Sequence, residues 1–118
     1  MASGAHGRAR WRAIAAYNGL ALDRAEGERI ARAMAGKGIA FLGNQGVIVA
    51  GERTAHACDD LYHLERACMP QALAMSTVRP LAPASTALSA RVARQIQGER
   101  EQSDLFFEAL RRRLPAPR

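Results

Sequence analysis

Lysine is almost missing from this chain: Lys37 stands alone among 17 basic residues, and the rest are arginine. Aromatic residues make up only 5%, so a core must be assembled from Ala, Leu, Ile, Val and Met. No apolar run reaches the roughly 18 residues that would mark a transmembrane helix. No sustained apolar segment follows Arg8, Arg10 and Arg12, so no secretory signal is expected. There is no His-x-His, no His-Glu-x-x-His and no Cys-x-x-Cys, which leaves no metal site readable from local spacing. Gly43, Gly46 and Gly51 do not form a phosphate loop, because no Gly-Lys-Ser/Thr and helix follow them. No Ser or Cys sits in a strained strand-to-helix turn of the nucleophile-elbow kind. The two cysteines, Cys58 and Cys68, fall in one expected helix and stand about 15 Å apart along its axis. That is too far for a disulfide, so they are expected to be buried free thiols in a reducing cytoplasm.

What is present is an ordinary globular balance: 118 residues, 48% apolar and 24% charged, enough for one domain. The formal charge of +6 looks like a nucleic-acid signal at first. The arginines are dispersed, though, and Arg24, Arg29, Arg53, Arg66 and Arg100 stand directly beside Glu or Asp. Together with abundant alanine, they point to a GC-rich coding bias. The local excess lies at the ends, at Arg8, Arg10 and Arg12 and at Arg111, Arg112, Arg113 and Arg118. Without interleaved aromatics, such ends are solvated tails rather than a groove reader.

The chain divides into segments. Residues 1–12 are small, Gly-containing and basic, and are expected to be a disordered lead-in. Residues 13–17 fit a short strand or a helical turn equally well, and Asn18-Gly19 signals a turn. Asp23 with Glu26 resembles a capping box that opens a helix to about Ala35, with Ile30, Ala31 and Met34 on one face. Gly36 and Gly38 end it. Residues 39–43 and 47–50 are apolar runs separated by Asn44-Gln45-Gly46, the pattern of a β-hairpin with Gly46 at positive φ. Both runs are apolar at nearly every position, so cover on both faces is expected. Thr54 can cap a long second helix to about Met75, with Ala57, Leu61, Leu64, Cys68, Ala72 and Met75 as the stripe facing a core. Pro70 should kink it near Arg66 and Ala67. Residues 78–85 are a proline-bearing linker. A third helix starts near Ser85 or Thr86 and runs to Pro115. Leu88, Val92, Ile96, Ser103, Phe106, Leu110 and Leu114 share its broad face, and Gly98 is its weak point. No internal repeat is visible.

Four places carry candidate chemistry. His56 and Asp60 stand four apart with Asp59 beside them, either as a carboxylate–histidine ligand cluster or, more simply, as a helix-surface ion pair. His63 lies one helical turn further on, and His6 lies in the lead-in. Glu65 fits a buried acid or base, or a structural ion-pair partner. The hairpin tip aims Asn44 and Gln45 outward, where Asn44 also suits turn backbone bonding.

The order of these parts resembles the C-terminal half of the class II aldolase/adducin domain. That pattern is an apolar strand, Asn-His-Gly, a second apolar strand ending in Gly, and then a helix with Ala-hydrophobic-Tyr-x-Leu-Glu-x-Ala spacing. Here the parts are Phe41-Leu42, Asn44-Gln45-Gly46, Val47 to Gly51, and Tyr62, Leu64, Glu65 and Ala67, within about residues 17–78. The resemblance implies an α/β fold: a partial α/β/α layered architecture whose hairpin belongs to a mainly antiparallel sheet with three flanking helices. It divides the chain into the lead-in 1–12, the domain half 13–84, and a C-terminal helix and tail 85–118. It also implies a cytoplasmic, cyclic homotetramer with active sites between subunits. Catalytic members are aldehyde-lyases and epimerases of carbohydrate metabolism. They use zinc or another divalent metal to spread the charge that develops on a sugar-phosphate carbonyl. Adducin-like members keep the fold as an interaction module.

Two departures bear on activity. The family's His-x-His pair and acid/base Glu belong to its N-terminal half, so the chain is expected to be a truncated domain. The third metal His falls in the Asn-His-Gly turn, and here that position is Gln45, a much poorer zinc donor than imidazole. His63 stands where many members have Tyr, and Pro70 is unusual at its position. The expected function is therefore a class II aldolase/adducin-like fragment that binds no metal by itself. The alternatives are an enzyme subunit completed by a separate N-terminal half, or a non-catalytic interaction module. Expected partners are further copies or that separate half, with neither membrane nor nucleic acid. An isolated hairpin is marginal in water, so self-association or partial unfolding is expected unless residues 1–17 supply another strand.

Overall fold

The computed structural model describes residues 10–15 and 22–115. The turn expected at Asn18-Gly19, His6, Arg8 and Arg118 lie outside them. The chain divides after Gly51 into two units, each taken by itself.

The first unit is a small mixed sheet with one helix. Strand β1 (Trp11–Ile14), helix α1 (Arg24–Met34), strand β2 (Ile39–Leu42) and strand β3 (Gly46–Val49) follow in order. β1 pairs parallel to β2, with Trp11 opposite Ile39 and Ile14 opposite Leu42. Parallel neighbours need a crossover, and α1 supplies it. β2 and β3 pair antiparallel, with Leu42 opposite Gly46. The sheet is thus evenly mixed rather than mainly antiparallel, because Trp11–Ile14 adds a parallel partner to the expected hairpin. Strand β1 also makes Ala13 and Ile14 strand residues and takes Trp11 and Arg12 from the expected lead-in; residues 16 and 17 of the ambiguous segment lie outside the described residues.

Asp23 caps α1: its carboxylate accepts from the Glu26 backbone N–H at 2.8 Å. Glu26 in turn receives Arg29 through Nε at 2.8 Å and Nη2 at 2.6 Å, and this bond raises the pKa of the Arg29 guanidinium. The helix closes with Ala35 at φ 48° and Gly36 at φ 73°. Its apolar side presents Ile30, Ala33 and Met34 to Ile14, Ala40, Leu42 and Ile48, with Ala33 in the place expected for Ala31. Ala40, at the centre of the middle strand, is fully buried. On the opposite face Trp11 meets Phe41 edge-on, with centroids 5.9 Å apart.

The second unit is helical. Helix α2 (Thr54–Ser76) runs unbroken through Pro70. Its N-cap is Arg53, with no side-chain capping bond, so Thr54 is the first helical residue rather than the cap. The expected third helix is two, α3 (Thr86–Gly98) and α4 (Arg100–Arg112), which makes four helices among the described residues. The break falls at the weak point: Gly98 ends α3, and Glu99 leaves helical geometry at φ −103°, ψ 30°. Ser85 caps α3 by accepting from the Leu88 N–H at 3.2 Å. No helix in the described residues is long and apolar enough to cross a membrane.

Candidate functional site

The first candidate site is the turn between β2 and β3. Gly43 is required there. A Cβ on it would lie 2.8 Å from the Ala15 carbonyl oxygen, because its own N–H donates to the Ile14 oxygen at 2.9 Å. Asn44 takes φ 60°, and the Gln45 N–H closes the turn onto the Leu42 oxygen at 3.4 Å. Asn is among the few residues that accept left-handed geometry at this third turn position. Gly46 has the positive φ expected of it, at 142°. Asn44 and Gln45 are both exposed at the tip.

The second candidate is a polar seam between α2 and α4. Arg100 grips Asp60 with two parallel bonds, Nη1 to Oδ1 and Nη2 to Oδ2, both 2.8 Å. The pair's side chains are only 20% and 10% exposed. The bond to Asp60 raises the Arg100 pKa; burial works against the shift, and the charges of Asp60, Asp59 and Glu52 add to it. Ser103, the most buried polar residue among those described, donates its hydroxyl to Asp59 Oδ2 at 2.8 Å. The other Asp59 oxygen lies 3.2 Å from His63 Nδ1. That nitrogen also sits 3.0 Å from the Asp59 carbonyl oxygen. Both neighbours can only accept, so Nδ1 carries the proton. At the N-terminal end Arg53 binds Asp104 at 2.9 Å. His56 Nε2 stops 3.8 Å from the other Asp104 oxygen, and both atoms are buried without a hydrogen bond.

This geometry redistributes the expected pairs. His56 does not pair with Asp60; it faces Asp104 on α4, and Asp60 is taken by Arg100. The helix-surface histidine–carboxylate pair four residues apart is His63 with Asp59. Glu65 is exposed on α2 rather than buried. Cys58 and Cys68 are free thiols, as expected, but both are exposed rather than buried, because the face of α2 that carries them does not pack on α4. Arg100, Ser103, Asp104 and Arg53 were not anticipated as site residues. Ser103 carried a signal, as a polar residue set within an apolar helical face.

Beside the seam lies an open cleft of about 530 Å³, walled by Tyr62, His63, Ile96 and Phe106 with Asp59 and Glu99 on its rim. Tyr62 and Phe106 stack at a tilt, centroids 5.3 Å apart. Chemically the seam is a clamp: its guanidinium is neutralised and its serine proton is committed to Asp59, so neither serves as a nucleophile or an open anion site. Among the described residues, no three His, Cys, Asp or Glu converge to hold a metal ion. The side-chain donors at the hairpin tip are the two neutral amides of Asn44 and Gln45, which do not suit a transition metal.

One family model matches the chain. It is described as Class II Aldolase and Adducin N-terminal domain, and it covers residues 3–72. No curated protein and no solved structure matches.

Proposed function

The chain belongs to the family of the class II aldolase and adducin N-terminal domain, and from that premise we propose that it supplies the hairpin-and-helix, C-terminal half of such a domain without the family's metal chemistry. Its role in this reading is that of an interaction module of the adducin kind. The observation that carries it is Gln45 at the tip of the β2–β3 turn, where the family's Asn-His-Gly turn presents a metal-binding imidazole. An amide oxygen is a neutral, weak donor to zinc, and nothing in the described residues compensates for it.

The test compares the whole chain with its Gln45→His variant by competition against a chromophoric zinc chelator, together with a retro-aldol assay on a hydroxy-ketone phosphate. The natural chain should lose zinc to the chelator and show no turnover. The variant should gain at least about 10-fold in zinc affinity. Stoichiometric zinc held by the natural chain, with retro-aldol turnover, would sink the proposal.

A second reading is favoured by the sheet itself. Among the described residues β1 and β3 each pair on one side only, and open edges accept further strands. A separate polypeptide carrying the N-terminal half would then complete an enzyme. Mixed with that half, Gln45→His should raise both zinc affinity and turnover; no change in either argues against this reading.

A further inference from the structure

We infer that the cleft beside the α2–α4 seam binds a free small molecule of the quaternary ammonium class, with Tyr62 and Phe106 as the ring faces and Glu99 as the counter-charge. The cleft, about 530 Å³, is of the size that takes a small organic molecule. Three rings line it. Tyr62 and Phe106 are inclined by 46° with centroids 5.3 Å apart. His63 stands across Tyr62 at 88°, 5.4 Å away. Rings set at angles to one another wall a tetrahedral cation on several sides, and a cation within about 6 Å of a tyrosine or phenylalanine centroid is attracted by the negative face of the ring.

Charge selects a cation. The chain as a whole carries +6, yet among the described residues no Lys or Arg lines this cleft, while Asp59, Asp60 and Glu99 do. Arg100 answers Asp60 alone, through both of its oxygens. The remaining bonds select a cation without N–H groups. One Asp59 oxygen accepts from Ser103 and the other faces His63 Nδ1, so neither aspartate has an oxygen to spare for an ammonium proton. A primary amine would enter the cleft with donors left unmet, which is costly away from water. A quaternary ammonium has none to satisfy. Glu99 is exposed at the break between α3 and α4, and nothing among the described residues bonds its carboxylate. It supplies the charge, and Ile96, on the last turn of α3, supplies apolar contact for the rest of the ligand.

The test is a titration of the whole chain with choline chloride at constant ionic strength, followed by the NMR signals of the aromatic rings. Choline should shift the Tyr62 and Phe106 signals with half-saturation at about 1–10 mM. The uncharged isostere 3,3-dimethyl-1-butanol has the same shape and should bind at least about 5-fold more weakly. Ethanolamine, which keeps the charge but carries N–H donors, should also bind more weakly than choline. Phe106→Leu should weaken choline about 3-fold or more. Phe106 is half-buried on α4, so Glu99→Gln accompanies it: this side chain is exposed, helix content by circular dichroism should not change, and affinity should fall about 2–3-fold. No ring shift at about 50 mM choline, an isostere that binds as well, or a Glu99→Gln chain of unchanged affinity would overturn the inference. So would a chain that sediments with phosphatidylcholine vesicles while free choline fails to bind, since the ligand would then be a lipid headgroup. Zinc and the hairpin tip enter none of these readouts, so they stand or fall apart from the proposed function.

Discussion

The Arg100–Asp60 clamp holds the first turn of α4 to α2, and replacing Arg100 measures what it contributes. An exposed ion pair is worth at most about 1 kcal/mol, and stripping one partner from a fully buried pair costs about 3–5 kcal/mol. With side chains 20% and 10% exposed and two bonds of 2.8 Å, this pair falls between the limits. Arg100→Met is expected to cost about 2 kcal/mol. Arg100→Lys keeps the charge but loses the two-pronged geometry, and should cost about 1 kcal/mol. For a unit of this size each kcal/mol moves Tm by roughly 4–8 °C. The lysine variant should therefore melt about 5 °C lower and the methionine variant about 10 °C lower, read by far-UV circular dichroism. Amide exchange should quicken along α4 and not in the sheet. The pH dependence has a definite sign. Arg100 has a raised pKa, so its contribution is fully present below the ordinary arginine value. It is lost only as pH rises through the still higher folded value. The difference in Tm between the natural chain and Arg100→Met, contributed by the guanidinium, should thus be constant from about pH 7 to 10. If both variants melt within about 1 °C of the natural chain, the clamp is ornamental and the reasoning fails.

Two further substitutions probe the sheet unit. Gly43→Ala places a methyl group 2.8 Å from the Ala15 carbonyl oxygen, a backbone atom that cannot step aside. It should cost about 1–3 kcal/mol, read as a lower urea midpoint by fluorescence of Trp11, the sole tryptophan. Asp23→Ala removes the acceptor of the Glu26 N–H and should cost about 1 kcal/mol; an unchanged midpoint would mean that the cap is not stabilising α1.

Local chemistry was legible wherever a feature depends on near neighbours in sequence. Asp23 caps α1, the turn bends at Asn44 and Gly46, and Ser85 opens α3. Gly98, read as a weak point, is where the last helix divides. The features that escaped depend on distant partners. β1 became a strand because β2 offered it an edge, and four residues such as Trp11–Ile14 carry too little pattern to announce that. Thr54 was read as a cap from its residue type, yet Arg53 holds that place and spends its side chain on Asp104, 51 residues away. The pairs His56–Asp60 and His63–Asp59 have the same spacing. Which one forms is decided by Arg100, which claims Asp60 from another helix.

The cysteines show why periodicity alone misassigned α2. Its apolar stripe was expected to face a core and its acids to face water. The structure has the acids against α4: Asp59 and Asp60 meet Ser103 and Arg100, while Leu61, Cys68, Ala72 and Met75 are exposed. Periodicity identifies a face as apolar and is silent about what covers it. In this unit only Ala55 and Ser103 are buried among the described residues, so polar bonds and the Tyr62–Phe106 ring contact, rather than a buried core, join α2 to α4. A helix that spends its polar side on an intramolecular clamp keeps its apolar side available. Leaving that side in water forgoes the burial that stabilises most helices.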